Sequence, residues 1–342
     1  MAQQPIAIEQ TAPREFRSKS DRPTPVRWTF AFFSFFKDKP LGGFGLALVL
    51  IIILIAFLAP VIQRYDPTRA FSVPNAQYDP AIAARALVDP NVKLLYPAEK
   101  YTEGAIGPQN PSMKHWFGTD KAGRDEYSQA VHGAQLSMLV GIGASAIAMV
   151  FGLLFGITSA YFGGTVDMVI QRMTDALLAF PALILLLLFV QVVQTPNKYY
   201  ITLALGIVGI SQVIRIVRSA VLQARQEQYV LAAEVVGASD SRIMLRHILP
   251  NIMAPTIVIF TIAIGAYILA EASLSFIGLG DPTAISWGHM LNDGRTLTTK
   301  PWLSIVPGVA IMLAVLGANL AGDALRDVLD PRLRGRGGNT GF

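Results

Sequence analysis

Residues 223–250 read QARQEQYVLAAEVVGASDSRIMLRHILP. On either side lie apolar runs long enough to cross a bilayer, so this polar island decides how the chain is read. A plain connection between two spans needs only a few residues. This one carries helix formers from Val221 to Val236, two adjacent alanines, a glycine and a closing proline. Ala232 and Ala233 form a small-residue patch that another surface can approach closely. Gly237 can adopt positive φ and end the helix. Ser239 or Asp240 can cap a second short helix, and Pro250 suits the first turn of the following span. From these residues alone, a docking segment and a plain interfacial amphipathic helix are equally good readings.

The rest of the chain sets the class. Of its 342 residues, 52% are hydrophobic and only 15% charged, and mean hydropathy is +0.46. A soluble domain of this length carries more charge. The charges crowd the N-terminus, the stretch from Arg64 to Glu126, the island and the C-terminal tail, with long uncharged runs between. That is the pattern of an all-α polytopic membrane protein. The net charge of +5 matches arginine and lysine beside spans, without the aromatic-interleaved basic stripe of a nucleic-acid binder. Residues 1–40 lack the apolar core and small-residue cleavage site of a signal peptide.

Six spans of about 20 residues, the length that crosses roughly 30 Å of hydrocarbon, are expected. They are Leu41–Ile62, Ser137–Ala160, Asp175–Val193, Tyr199–Val217, Ile252–Ile277 and Trp302–Ala321. Arg215 and Arg218, in the last turn of the fourth, can snorkel to the interface. The chain thus divides into an N-terminal segment 1–40, a first span 41–62, a loop 63–133, a five-helix core 134–322 holding the segment 222–250, and a tail 323–342. Lysine and arginine weigh on the side of both termini and the island, which are expected in the cytoplasm. The loop 63–133, rich in proline, is too long for a plain connection and reads as a small irregular excursion on the opposite side.

Several chemistries are excluded. There is no cysteine, hence no disulfide and no thiolate. No Gly-Lys pair exists to form a phosphate loop, and neither a His-Glu-x-x-His helix nor a Gly-x-Ser-x-Gly elbow occurs. No catalytic, metal or cofactor site is expected on this chain. Polar residues in or beside spans are few: Asp175, Gln191, Gln194, Glu271 and Asn319. They either hydrogen-bond between helices or line a polar pathway.

The spacing Ala232-Ala233-x-x-x-Gly237, nine residues, His247-Ile248-Leu249-Pro250 resembles the coupling motif of inner-membrane permeases of binding-protein-dependent ABC importers. That motif reads Glu-Ala-Ala, three residues, Gly, nine residues, Ile-x-Leu-Pro. Leu231 replaces the glutamate and His247 the isoleucine. Further stretches resemble the dipeptide/oligopeptide/nickel branch, in its second-permease subunit: Phe117–Asp125, Tyr161–Asp167, Arg172–Pro181, Glu271–Gly280, Trp287–Leu291 and Asn319–Arg334. Gln129 and Gln135 stand where that branch commonly has arginine, which implies a different surface charge near the loop.

The resemblance implies a type I importer permease fold and half of a translocation pore for peptides. Oligosaccharides, nickel chelates or glutathione are the alternative cargoes. It implies a second permease, two ATPase subunits that bind ATP and Mg, and an extracytoplasmic binding protein. Coupling would rest on Ala232, Ala233, Gly237, Ala238, Ser239, Arg242, Leu249 and Pro250. Pathway candidates are Gln191, Glu271, Asp175 and Asn319. Asp120, Arg124 and Asp125 either contact the binding protein or order their own loop. A secondary carrier and a membrane scaffold remain as other classes, although neither accounts for the island's spacing.

Overall fold

The computed structural model describes residues 39–74, 103–105, 107–193 and 196–329. Expectations for residues 1–38, for Gln194 and for the tail beyond 329 lie outside them. The described chain is a helical bundle. Helix α1 spans Pro40–Ile62 and α2 spans Glu126–Phe162. Helices α3 (Gly164–Leu178) and α4 (Ala182–Val193) follow, then α5 (Lys198–Ala224). The island holds α6 (Gln228–Val235), α7 (Asp240–Arg242) and one turn of π-helix, Ile243–Ile248, that runs into α8 (Leu249–Phe276). A short α9 (Trp287–Gly294) and a long α10 (Trp302–Leu329) complete it.

Five helical stretches are long and apolar enough to cross a membrane. The third expected span differs. In place of one helix from Asp175 to Val193, α3 and α4 meet at an 85° bend. Pro181 causes it, lacking an N–H and pushing Phe180 out of helical geometry. Helix α4 has 12 residues and reaches only about 18 Å, so it needs α3 to complete a crossing.

Several helix ends also move. Helix α2 starts at Glu126, well before Ser137, because the Asp125 carboxylate caps it by accepting from the Ser128 N–H at 2.9 Å. Helix α5 runs past Val217 to Ala224, and α10 past Ala321 to Leu329. The loop 63–133 gains a two-stranded antiparallel pairing, β1 (Ser72–Pro74) with β2 (Glu103–Ala105).

The helices pack through small residues, as expected where lipid gives no hydrophobic drive for association. A side chain at Gly156 of α2 would stand 2.8 Å from the Val217 side chain of α5. Three buried clusters result. One, at the island end, joins Val217, Val221, Val230, Ile243 and Ile248. Another joins Ile52, Ala134, Ile268, Trp287 and Ala314 from α1, α2, α8, α9 and α10. The third gathers Val140, Leu186, Ile201 and Leu205 between α2, α4 and α5.

Arg215 and Arg218 each pair with an aspartate of α3. Arg218 grips Asp167 of α3 with Nε and Nη2 at 2.7 and 2.6 Å, and the Ser159 hydroxyl of α2 donates to the same carboxylate. Such a two-point ion pair fixes orientation as well as distance. Arg215 meets Asp175 at 2.7 Å with both side chains about half exposed, a pair worth little on its own.

Candidate coupling segment

The island is two short helices joined by a tight turn. The expected single helix from Val221 to Val236 is interrupted at Arg225–Glu227, where the chain turns from α5 into α6. Helix α6 ends as Gly237 takes φ +80°. The Gly237 N–H then donates to the Glu234 carbonyl at 2.9 Å, and the Ala238 N–H to the Ala233 carbonyl at 3.0 Å. That pair of bonds is a Schellman motif, which satisfies carbonyls left open at a helix end. Among the described residues nothing lies within 4 Å of where a Gly237 side chain would begin, so glycine is needed there for its backbone and not for space.

Ser239 stands at the cap position of α7, but its hydroxyl makes no capping bond. Asp240, in the first turn of α7, accepts from the Tyr161 hydroxyl at 2.8 Å. Tyr161 lies in the last turn of α2, and the Arg225 guanidinium sits 5.4 Å from its ring centre. Three elements thus meet at one aromatic ring. The π turn absorbs the passage toward Pro250 and leaves Asp240 to Phe276 as one continuous stretch. Motion of the island therefore acts directly on α8.

The eight expected coupling residues share this unit but present different faces. Ala232, Gly237, Ser239, Arg242 and Pro250 are exposed. Ala233, Ala238 and Leu249 are half-buried and pack on the cluster around Val230 and Ile248. Leu231, Val235 and Val236 are also exposed, the two valines at 88% and 86%. An apolar strip facing away from the bundle beside Ala232 is what a docking helix needs.

The pathway candidates are not brought together. Gln191 and Asn319 lie on exposed faces of α4 and α10, and Asp175 pairs with Arg215. Glu271 is 1% exposed and accepts from the Ser275 hydroxyl at 2.7 Å. Within this chain it is enclosed by packing. A cavity of about 630 Å³ at the loop end is lined by Gln63, His132, Gln135, Lys198 and Thr283 among others, and by none of the four candidates.

At the loop end, Asp120 and Asp125 are 4% and 0% exposed. Asp125 accepts from the His115 ring at 2.8 Å and from the Ser128 hydroxyl at 2.7 Å. Asp120 accepts from Arg124 Nε at 2.6 Å, from the backbone N–H groups of Ala122 and Arg124, and from Gln129 Nε2 at 2.9 Å. Both carboxylates order their own loop and neither is offered to a partner. Arg124, 31% exposed, is the member of the trio a partner can reach. Gln129 is buried against Asp120, and Gln135 donates to the Ala56 carbonyl at 3.0 Å, so the first sets no surface charge and the second ties α2 to α1.

Residues 152–335 match the family model for the binding-protein-dependent transport system inner membrane component. The chain belongs to that family. Residues 29–86 match the N-terminal TM domain of oligopeptide transport permease C. The dipeptide transport system permease of Alkalihalophilus pseudofirmus is 37% identical over 309 residues, 90% of each chain. The oligopeptide transport system permease of Bacillus subtilis is 36% identical over 301 residues, 87% of this chain and 88% of that one. A glutathione transport system permease of Escherichia coli is 40% identical over 242 residues, 70% of this chain and 80% of that one. This permease is a multi-pass membrane component of a transport system. Its island falls wholly inside the first matched region, and α1 inside the second.

Proposed function

We propose that this permease forms half of a peptide-conducting pore and converts ATP hydrolysis by partner subunits into import. The observation that carries the reading is the island: an exposed apolar strip (Leu231, Val235, Val236) along the end of α6, joined by the tight Gly237 turn to α7, which Tyr161–Asp240 holds to α2 and which runs on into α8. A rigid lever with a sticky outer face transmits motion between two sites through a two-state element. The termini and the island face the cytoplasm, where two ATPase subunits hold ATP and Mg. A second, related permease completes the pore, and a binding protein delivers cargo at the loop end. Relatives named for dipeptides, oligopeptides and glutathione point to short peptides as cargo.

Because the chain has no cysteine, a single Ala232→Cys supplies a unique crosslinking site. Reconstituted with the partner permease, ATPases and binding protein, it is expected to crosslink to an ATPase subunit and to lose ATP-driven peptide import on crosslinking. Import that proceeds unchanged with the crosslink formed would refute the reading.

A further inference from the structure

At the loop end of the bundle, α1, α2 and α10 enclose a groove of about 460 Å³. Its walls include Ile52 and Ile55 of α1, Ala130 and Ala134 of α2, and Ala310 of α10. No charged side chain lines it among the described residues. Small residues on facing helices keep it open. Its floor is Trp287, 3% exposed, which can lie flat on α2 because a side chain at Gly133 would run into the indole ring. The indole N–H donates to the Ala130 carbonyl at 2.8 Å, so the floor turns no unmet polar group into the groove.

The mouth of the groove is different. Phe117 and Tyr127 line it, and Tyr127 meets Trp116 edge-on with ring centres 5.0 Å apart. The Arg64 guanidinium stands 4.4 Å from the centre of the Trp116 ring, just beyond the end of α1. Aromatic rings topped by an exposed arginine are the chemistry of the membrane–water interface. A guanidinium there matches a phosphate.

The neighbouring surface says what fills the groove. Helix α1 is the most apolar of the spans, at mean hydropathy 3.1, yet only 17% of its apolar window is buried. Residues such as Phe57 and Leu54 on α1 are exposed at 80% and 55%. That face is apolar and open, and the groove opens beside it. Apolar walls alone do not favour a lipid tail over the bulk bilayer, so retention needs close packing plus a headgroup contact. The groove and Arg64 offer one of each.

We propose that this groove holds one acyl chain of a phospholipid, with its phosphate at Arg64. The floor residue reports on it. In the full chain with Trp28, Trp116 and Trp302 changed to Phe, Trp287 is the sole tryptophan and is excited selectively over the tyrosines. In nanodiscs of phosphatidylglycerol carrying dibrominated acyl chains, strong quenching of Trp287 is expected. Ala310→Phe, or Ala310→Leu should the larger residue prevent folding, fills the groove and is expected to abolish most of the quenching. Arg64→Gln is expected to raise several-fold the fraction of brominated lipid needed. Trp287 emission indifferent to brominated lipid would overturn the proposal, as would quenching that persists undiminished in the filled groove, since bulk lipid would then be its source. A Trp287 shielded by another copy of the chain gives the first of these outcomes, with a dimer on sizing.

Discussion

The Tyr161 hydroxyl donates to the Asp240 carboxylate at 2.8 Å, across 79 positions of sequence, and so joins the last turn of α2 to the first residue of α7. Asp240 is exposed, so the bond adds little to global stability. Its value is positional, because it fixes the island against a helix that crosses the bundle. Tyr161→Phe and Asp240→Asn are each expected to leave the protein in the membrane with near-normal melting, while import per ATP hydrolysed falls several-fold. The double variant is expected to be no worse than either single one. Additive losses would show that the two residues act separately.

Ala232 and Ala233 are neighbours with opposite surroundings, which separates docking from folding. Ala232 is exposed, whereas Ala233 is half-buried on the cluster around Val230. Ala232→Asp is expected to spare stability and abolish stimulation of the ATPase. Ala233→Asp is expected to lower stability as well, since a carboxylate enters an apolar contact. At Gly237 the open surroundings and φ of +80° predict that Asn is tolerated better than Val. Melting curves and ATPase assays on the assembled complex distinguish these effects.

Much of this unit was legible in sequence. The Ala-Ala-x-x-x-Gly spacing located the turn, because glycine past a run of helix formers is a local signal. The break at Arg225–Glu227 was not legible, since every residue there favours helix and only the packing of Val230 and Val221 into one cluster turns the chain. Tyr161, Arg225, Asp167 and Arg218 were missed as partners for a similar reason. Their contacts join residues 51 to 79 positions apart, as in Arg218–Asp167 and Tyr161–Asp240, and no periodicity marks such pairs. An arginine and an aspartate flanking spans were the available hint. The burial of Glu271 was not legible because an acidic residue in an apolar run has the same appearance whether it faces a polar path or packs beside a serine such as Ser275. Pro181 was visible as a proline, but a proline marks a break without giving its angle, here 85°.

His115 and Asp125 form a buried pair at 2.8 Å with side chains 6% and 0% exposed. Asp125 also caps α2. Asp125→Ala removes both roles and is expected to cost about 3 kcal/mol of stability, read as a lowered melting temperature in detergent. Arg124→Ala, at a side chain 31% exposed, is expected to cost much less and to act on delivery of cargo by the binding protein. A melting temperature unmoved by Asp125→Ala would contradict the assignment of this carboxylate to the loop's interior.

Asp281 ties the start of α5 to the segment before α9, accepting from the Lys198 N–H at 2.9 Å and from Thr283 at 2.7 and 2.8 Å. Burial works against its charge, but the Thr283 hydroxyl and the backbone N–H groups of Thr283, Lys198 and Ala284 outweigh it and hold the carboxyl below its ordinary value. A depressed folded-state value means the charged form is favoured by folding. The stabilisation is present above the unfolded carboxylate range and is lost as pH falls through the folded value. Asp281→Asn is therefore expected to lower stability at neutral pH and to shrink the gap to wild type below about pH 4. A gap that stays constant with pH would place the effect in shape and not in charge.

Gln129 gives the sharpest test of the loop end, because it sits among carboxylates with no charge of its own. Its side chain is 3% exposed and donates to Asp120 Oδ2 at 2.9 Å. Glu126 and Asp293 lie beside it, and among the described residues Glu126 Oε1 is buried without a hydrogen-bond partner. An acidic cluster of this kind is held mainly by donors, and Arg124 is its nearby cation, bonded to Asp120 at 2.6 Å. Gln129→Arg brings a second guanidinium with donors for both Asp120 and Glu126. It is expected to raise the melting temperature despite its greater length. Gln129→Met, of similar length and without donors, is expected to lower it by leaving Asp120 one bond short. If both variants melt below wild type by the same margin, volume governs the site and the electrostatic account of this loop fails.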